Sequence, residues 1–164
     1  AGAGKTSLAV RIFRDRFSPF EESTIGAAFM AMNQDGVNVD CWDTAGQERY
    51  ATLLPMYVRG ADVAWIVVRA SEASPDANFR KWETKIHDTA PPNQITIFRI
   101  VSMADTVGSD AKIPECDFVT SAKTGEGCSN VLEQTFNVAR NRGVPQDNVV
   151  AIDRPKDSSS CCYM

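Results

Sequence analysis

Two short apolar runs constrain the fold of this chain more than any other feature. Residues 61–68 are apolar at every position but one, and residues 95–101 are nearly so. Strands this apolar suit a sheet that is covered on both faces, as parallel strands are. Between the two runs, Phe79, Trp82 and Ile86 recur at helical spacing. The sequence therefore predicts a layered α/β fold with a parallel central sheet.

The remaining patterns add elements to this sheet. Apolar residues at helical spacing predict one helix over residues 5–17 and another that begins near Cys128. Residues 26–32 and 37–42 flank an Asn-Gln-Asp-Gly turn, which predicts an antiparallel hairpin. Residues 117–119 complete the pattern as a short strand.

Composition bounds the class of protein. With 164 residues and a net charge of −4, the chain fits one domain and has no basic cluster of the kind that binds nucleic acid. Its five cysteines show no disulfide or zinc spacing, so a reducing, cytosolic compartment is expected. No apolar run is long enough to span a bilayer. We expect a domain over residues 1–142 and a flexible tail over residues 143–164.

The first seven residues carry a phosphate-binding pattern. They are Ala-Gly-Ala-Gly-Lys-Thr-Ser, the last part of G-x-x-x-x-G-K-[ST], which suggests that the chain begins partway into its domain. In this motif Lys5 meets the outer phosphates and Thr6 offers a hydroxyl to Mg²⁺. An ordinary tight turn before a helix is the alternative. The predicted nucleotide ligands from this segment are Gly2, Ala3, Gly4, Lys5, Thr6 and Ser7.

A second motif follows the second hairpin strand. Residues 42–48 are Trp-Asp-Thr-Ala-Gly-Gln-Glu, at the end of a strand where open α/β sheets place ligand groups. Asp43 can hold Mg²⁺ through water, the Gly46 N–H can meet a γ-phosphate, and Gln47 can orient the attacking water. A plain strand-ending turn is the alternative, but the two motifs together favour nucleotide chemistry.

Four segments resemble the motifs of Rab GTPases, members of the Ras-like superfamily. These are residues 23–29 (STIGAAF), 42–50 (WDTAGQERY), 55–57 (PMY) and 120–123 (TSAK), and the first is similar to that of the early-endosomal type. The resemblance covers residues 1 to about 142. It implies a P-loop fold with six strands and five helices, binding of GTP and GDP with Mg²⁺, slow hydrolysis, and two switch segments.

The resemblance also implies roles for single residues. Thr24 would coordinate Mg²⁺ and sense the γ-phosphate. Phe17 would lie against the guanine ring, although it also fits as a core residue at the end of its helix. The base would be lined by Ser121, Ala122 and Lys123. An effector surface would be formed by Phe29, Trp42 and Tyr57, for which a place in the core is the alternative.

The last residues resemble a lipidation signal. Cys161 and Cys162 are similar to the twin cysteines that Rab proteins have geranylgeranylated, and the final four residues also fit C-a-a-X. Two lipid chains hold a protein on a membrane where one gives only reversible anchoring. Two adjacent cysteines by chance remain the alternative.

The chain departs from the family in three places. The base-reading motif N-K-x-D is Ser-Met-Ala-Asp here, and Asp105 alone remains to accept the two guanine N–H groups. Losing the amide at Ser102 and the lysine at Met103 predicts a lost tie between loops and weaker binding. Only residues 106–119 separate Asp105 from the next motif, so the family's fourth helix is expected to be missing. No strand precedes the phosphate loop, which predicts a gap in the sheet.

Three functions are compatible with these motifs. The first is a monomeric GTPase switch for vesicle and endosomal traffic, which cycles between the cytosol and the cytoplasmic face of endosomal membranes. It would respond to exchange factors and GTPase-activating proteins, bind effectors, and be anchored by C-terminal lipids. The second is a degenerate switch-like module that docks on membranes and effectors with weak or no nucleotide binding. An ATP-dependent P-loop protein is the third.

Overall fold

Six strands form one sheet in the computed structural model, which describes residues 2–46, 52–90 and 94–142 and the main chain of residues 159–163. The sheet order is β1-β2-β6-β3-β4-β5; only β1 and β2 are antiparallel, and every other neighbouring pair is parallel. The strands are β1 Ala27–Gln34, β2 Val37–Thr44, β3 Val63–Arg69, β4 Thr96–Ser102, β5 Phe118–Val119 and β6 Ser159–Tyr163. The α/β fold with a parallel central sheet is therefore confirmed.

Four helices flank the sheet within the described ranges. They are α1 Lys5–Arg14, α2 Leu54–Val58, α3 Pro75–His87 and α4 Cys128–Asn141. The predicted helices correspond to α1, α3 and α4, whereas α2 is too short for a periodic pattern to reveal it. No helix in this part of the chain is both long and apolar enough to cross a bilayer.

The hairpin of β1 and β2 has the turn that its sequence indicates. Asp35 and Gly36 both have positive φ angles, 54° and 81°, which are the values of a two-residue turn whose twist matches that of the strands. The two strands pair in register from Gln34 and Val37 at the turn to Ala27 and Thr44 at the far end. β2 thus runs two residues further than predicted and carries the Asp43 position into the buried part of the sheet.

Apolar side chains fill both faces of the central strands. One face packs against α1 and α4 and includes Trp65 and Phe136; the other packs against α2 and α3 and includes Phe79 and Ile86. The indole N–H of the buried Trp65 donates a hydrogen bond of 3.2 Å to the Thr135 hydroxyl. This two-faced burial explains why β3 is an almost unbroken apolar run.

The expected loss of the fourth helix is confirmed, because residues 107–117 contain no helix. Arg99 of β4 instead pairs with Glu83 of α3 through two contacts of 2.5 and 3.0 Å. The Arg99 main-chain N–H also donates to the Asp117 carboxylate at 2.7 Å. A charged residue can therefore occupy this strand because its guanidinium is paired at the partly exposed surface of the sheet.

The C-terminal segment differs from the expected flexible tail. Residues 159–163 form β6, which fills the place between β2 and β3 where the sequence predicts a gap. Cys162 is in register with both Cys41 of β2 and Val63 of β3. Both neighbouring strands are largely buried, and pairing with β6 satisfies main-chain groups on their facing edges. Residues 143–158 and Met164 lie outside the described residues.

Candidate nucleotide-binding site

A cavity of about 430 Å³ opens at the ends of β2, β4 and β5. This is the edge at which open α/β sheets bind ligands, and the volume is in the range of small-molecule sites. All but one of the nucleotide ligands predicted from the sequence line it. They are Gly2, Ala3, Gly4, Lys5, Thr6, Ser7, Phe17, Thr24, Gly46, Asp105, Ala122 and Lys123.

The cavity is also lined by residues that were not among the predicted nucleotide ligands. Much of this additional lining comes from the loop after α1, whose residue types do not indicate a binding site. Ser102 and Met103 contribute from the end of β4. These further residues are Leu8, Ser18, Pro19, Glu21, Glu22, Ser23, Ser102, Met103 and Thr106.

The phosphate loop forms the floor of the cavity. Gly2 and Gly4 adopt left-handed φ angles of 77° and 70°, and a Cβ atom on Gly4 would lie only 2.8 Å from the Met103 methyl carbon. No side chain caps the N-terminus of α1, which starts at Lys5. The first N–H groups of a helix have no partner within it, so this helix end offers donors and positive potential to an anion.

A carboxylate and two hydroxyls form a polar cluster beside Lys5. The Thr6 and Thr24 hydroxyl oxygens are 2.7 Å apart, and the Thr24 hydroxyl donates to Asp43 Oδ2 at 3.2 Å. Asp43 is fully buried, and its Oδ1 has no hydrogen-bond partner in the described structure. An unsatisfied buried carboxylate oxygen next to two hydroxyls fits a divalent cation.

The donor set favours Mg²⁺. The polar cluster offers one carboxylate and two hydroxyls, and the described ranges hold no group of three or more His, Cys, Asp or Glu side chains suited to a metal. Binding through one or two protein carboxylates together with substrate phosphates is the habit of Mg²⁺. The residues present therefore fit the ion that the sequence predicts.

Burial disfavours the ionised forms of both Asp43 and Lys5. It raises the pKa of the Asp43 carboxyl, while hydrogen bonding by Thr6 and the positive charge of Lys5 oppose that rise. It lowers the pKa of the Lys5 ammonium, and the negative charge of Asp43 partly offsets this effect. Each charged form is disfavoured by lost solvation, so a bound phosphate and cation would relieve both.

Ser102 keeps a connection that the sequence predicted to be lost. Its hydroxyl donates a hydrogen bond of 2.6 Å to the main-chain carbonyl of Ala3 in the phosphate loop. The next residue, Met103, has a left-handed φ of 57°, and its side chain lies against Gly4. The expectation of a lost tie is therefore wrong, because a serine hydroxyl at this position also reaches the loop.

The Asp105 carboxylate is held at the cavity wall. Its Oδ1 accepts a hydrogen bond of 2.6 Å from the Ser121 hydroxyl, and the Lys123 ammonium lies 3.8 Å from Oδ2. Ser121 is the predicted ligand that does not line the cavity, because it is fully buried and contacts Asp105 instead. Ser121 thus orients an acceptor for paired N–H donors.

Phe17 belongs to the cavity and not to the helix core. Helix α1 ends at Arg14, and Asp15 follows it in a left-handed conformation with φ of 50°. Phe17 is 38% exposed and lines the cavity. The ring thus lies at the cavity wall and beyond the end of helix α1, and its contact with guanine stays a prediction. Gln47, the predicted water-positioning residue, lies outside the described residues.

The three predicted effector aromatics are in contact with one another. The ring centroids of Phe29 and Trp42 are 5.1 Å apart, and those of Trp42 and Tyr57 are 5.7 Å apart. Phe29 is exposed, and the other two rings are half-buried. They form one aromatic patch across β1, β2 and α2 instead of lying in the fully buried core.

The chain is similar to known proteins along most of its length. A family model described as the Ras of Complex, Roc, domain of DAPkinase matches residues 1–105. The Ras-related protein RHN1 of Nicotiana plumbaginifolia is 45% identical, and the Ras-related protein RABF2b of Arabidopsis thaliana is 37% identical. The GTP-binding protein ypt5 of Schizosaccharomyces pombe is 33% identical. Each of the three alignments covers 98% of this chain and 90% of the relative.

Proposed function

Because this chain belongs to the Rab family of Ras-like small GTPases, and within it to the early-endosomal type, we propose that it is a GTP-hydrolysing switch in membrane traffic. The observation that carries this proposal is the convergence of three groups on one cavity. The phosphate loop, the cluster of Thr6, Thr24 and Asp43, and the Asp105 carboxylate all meet there. The cavity thus has groups that can bind the phosphates and the base of a nucleotide and a cation.

The phosphates of GTP or GDP bind at the N-terminus of α1. Main-chain N–H groups of residues 2–7 and the Lys5 ammonium donate to the phosphate oxygens. Lys5 is already partly desolvated, so a phosphate replaces lost solvation as well as adding charge attraction. Lys5 therefore contributes to phosphate affinity through its charge and its hydrogen bonds.

The guanine base binds against Phe17, Ala122 and Lys123. The Asp105 carboxylate accepts from two N–H groups of guanine, a pair that adenine does not present in that arrangement. Ser121 keeps the carboxylate in position through its hydrogen bond to Oδ1. Guanine preference is therefore supported although Ser102 and Met103 replace the residues that the family has there.

Thr6 and Thr24 would hold Mg²⁺ directly, and Asp43 would hold it through water. A bound Mg²⁺ supplies positive charge that offsets the charge developing on the phosphate oxygens. Gln47 orients the attacking water, and the Gly46 N–H donates to the terminal phosphate. Loss of that phosphate removes one of the groups that hold Thr24, which releases its loop and switches the protein.

Effectors bind at the protein surface, and the protein acts at a membrane. Phe29, Trp42 and Tyr57 form the effector patch, which adjoins the Thr24 loop through β1 and the Asp43 strand through β2. Cys161 and Cys162 carry geranylgeranyl or farnesyl groups that anchor the chain to the cytoplasmic face of endosomal membranes. Exchange factors and GTPase-activating proteins set the lifetime of each state.

Single-turnover GTP hydrolysis tests this function. We expect the native chain to release phosphate slowly from GTP in the presence of Mg²⁺. Lys5→Ala should abolish the reaction, whereas the control Lys112→Ala, an exposed lysine outside the cavity, should match the native chain. Gln47→Ala should still bind GTP, but it should hydrolyse it at about one tenth of the native rate or below.

The alternative function predicts a different outcome in the same assay. A degenerate module that docks on membranes and effectors would release no phosphate and would bind GTP no better than Lys5→Ala does. That result, obtained with a chain whose far-ultraviolet dichroism shows it to be folded, would replace the GTPase with the docking module.

A further inference from the structure

We propose that Arg11 is a positioning residue for the base: its guanidinium group packs against Gly125 and so holds residues 121–126 in the conformation that binds guanine. The proposal deepens the proposed function and rests on it. Neither residue belongs to a motif identified in the sequence, because Arg11 lies within α1 and Gly125 follows the motif at residues 120–123. Their contact joins the helix that begins at the phosphate loop to the segment that lines the base.

The guanidinium group occupies the space in which a side chain at position 125 would lie. A Cβ atom on Gly125 would be 2.8 Å from Arg11 Nη2, 3.3 Å from Nε and 3.5 Å from the central carbon of the guanidinium group. Gly125 also has a left-handed φ of 85°, which residues other than glycine rarely adopt. Position 125 therefore favours glycine for two separate reasons, its backbone conformation and the close approach of Arg11.

Hydrogen bonds connect Gly125 to the groups that bind the base. The Gly125 main-chain N–H donates to the Ser121 carbonyl at 2.8 Å, and the Thr124 N–H donates to the Ser121 hydroxyl oxygen at 3.2 Å. The Ser121 hydroxyl in turn donates to Asp105 Oδ1 at 2.6 Å. Ala122, which lines the cavity, belongs to the same turn. A shift of Gly125 would therefore move both the proposed guanine acceptor and part of the cavity wall.

The Arg11 side chain reaches from α1 toward the start of α4. It is 25% exposed. Burial raises the pKa of the Cys128 thiol in the first turn of α4, and the positive charge of Arg11 opposes this rise. The Cys128 main-chain N–H also donates to the Gly125 carbonyl at 3.2 Å. The guanidinium group thus lies beside the turn that leads from the base-lining residues into α4.

The ion pair of Arg11 with Asp15 does not explain this placement. Arg11 Nη1 and Asp15 Oδ1 are 3.5 Å apart, and the Asp15 side chain is 92% exposed. Ion pairs exposed to this degree contribute little to stability. An arginine can instead cover neighbouring surface with its methylene groups, and its head group is planar and presents a flat face. Packing against the turn is therefore the contact through which Arg11 acts on the site.

The affinities of the full chain for GDP and ADP measure this role without hydrolysis of the ligand. Both are titrated calorimetrically in Mg²⁺ into the native chain, Arg11→Ala and the control Arg14→Ala, which removes an exposed arginine of the same helix. We expect Arg11→Ala to bind GDP about threefold to tenfold more weakly than the native chain, and Arg14→Ala to match the native chain. ADP affinity should stay unchanged in both, because adenine lacks the N–H pair that Asp105 accepts. A residue with a purely structural role would weaken the binding of both nucleotides alike.

A double variant tests the contact itself. Gly125→Ala should weaken GDP binding about tenfold or more, because it adds both a strained φ and a clash with the guanidinium group. Adding Arg11→Ala removes the clash, so the double variant should bind GDP more tightly than Gly125→Ala alone. The matched control is Gly36→Ala: Gly36 has a φ of 81°, and a Cβ atom there would have no atom of the described residues within 4 Å. Adding Arg11→Ala to Gly36→Ala should give no such recovery.

Hydrogen exchange gives a result even if Gly125→Ala does not fold. The main-chain amides of Thr124 and Gly125 donate to Ser121, so they should exchange faster in Arg11→Ala than in the native chain. The amides of β3 should exchange at the native rate, which separates a local change at the turn from a loss of global stability.

The outcomes separate the role of Arg11 from the proposed function. Equal GDP affinity in the native chain and Arg11→Ala, an equal loss of GDP and ADP affinity, or unchanged exchange at residues 124 and 125 would overturn the positioning role and leave the GTPase intact. A double variant that binds GDP no more tightly than Gly125→Ala would also overturn it. A folded native chain that binds no GDP would overturn the proposed function and the role of Arg11 together.

Discussion

The hydroxyl of Ser102 donates a hydrogen bond of 2.6 Å to the main-chain carbonyl of Ala3. This bond joins the end of β4, which leads to the proposed guanine acceptor Asp105, to the proposed phosphate loop. Ser102 is 3% exposed, so water does not easily replace the bond. A hydrogen bond therefore connects the phosphate side and the base side of the proposed nucleotide site, although the altered base-reading motif predicted that this connection would be lost.

Removing this hydroxyl should loosen the nucleotide. We expect Ser102→Ala to speed the release of bound GDP about threefold to tenfold, because one net hydrogen bond contributes about 0.5–1.5 kcal/mol. The rate is measured by displacement of a fluorescent GDP analogue. Ser109→Ala, which changes an exposed serine in the following loop, should release GDP at the native rate. Equal rates in all three chains would show that the bond does not hold the site.

Asp43 should limit the stability of the chain when no ligand is bound. Its ionised form is buried with one oxygen unsatisfied, so Asp43→Asn should raise the free energy of unfolding at neutral pH by about 1 kcal/mol. Asparagine still accepts the hydrogen bond from Thr24. The measurement is urea unfolding of both chains without nucleotide or Mg²⁺. A less stable asparagine variant would contradict this account of the cluster.

The same pair of chains has a predictable dependence on pH. Because the folded-state pKa of Asp43 is raised, its protonated form favours folding below the unfolded pKa, and that advantage is lost as pH rises through the folded value. The native chain should therefore lose stability relative to Asp43→Asn as pH increases from the acidic range toward neutrality. A constant difference over this range would show that Asp43 titrates normally. With Mg²⁺ and GDP, the order reverses, since only the native chain has the carboxylate.

Arg99 and Glu83 should be coupled in stability. They form two contacts between β4 and α3, and their side chains are 35% and 19% exposed. A double-mutant cycle with Arg99→Ala and Glu83→Ala should give a coupling of about 0.5–1 kcal/mol. The matched control is Arg11 and Asp15, a longer pair in which Asp15 is 92% exposed, and its coupling should be close to zero. Similar values for both cycles would show that pairing with Glu83 is not what allows Arg99 to occupy β4.

Local patterns predicted the parts of the fold that local chemistry determines. The continuous burial of β3 and the positive φ angles at Asp35 and Gly36 have direct signals in residue type, so the parallel sheet and the hairpin followed from the sequence. Helix α1 was predicted three residues too long. Its apolar spacing continues to Phe17, although the left-handed Asp15 has already ended the helix.

Contacts between distant segments had no such signal. The hydroxyl of Ser102 reaches Ala3 across most of the chain length, and no residue pattern distinguishes a serine that makes this bond from one that does not. The run Ser-Ser-Cys-Cys-Tyr lacks the alternation of a half-buried strand, so β6 was expected in a tail. Its pairing with β2 and β3 joins segments that are far apart in the sequence, and no local residue pattern shows such a contact.

Calorimetric titration of the native chain with GTP and with ATP, both in Mg²⁺, tests the central claim most directly. The account predicts that GTP binds at least about a hundredfold more tightly than ATP, and that Asp105→Ala removes most of this preference because the guanine N–H groups lose their acceptor. Equal affinities for GTP and ATP in the native chain, or no heat of binding from either in a folded sample, would contradict it.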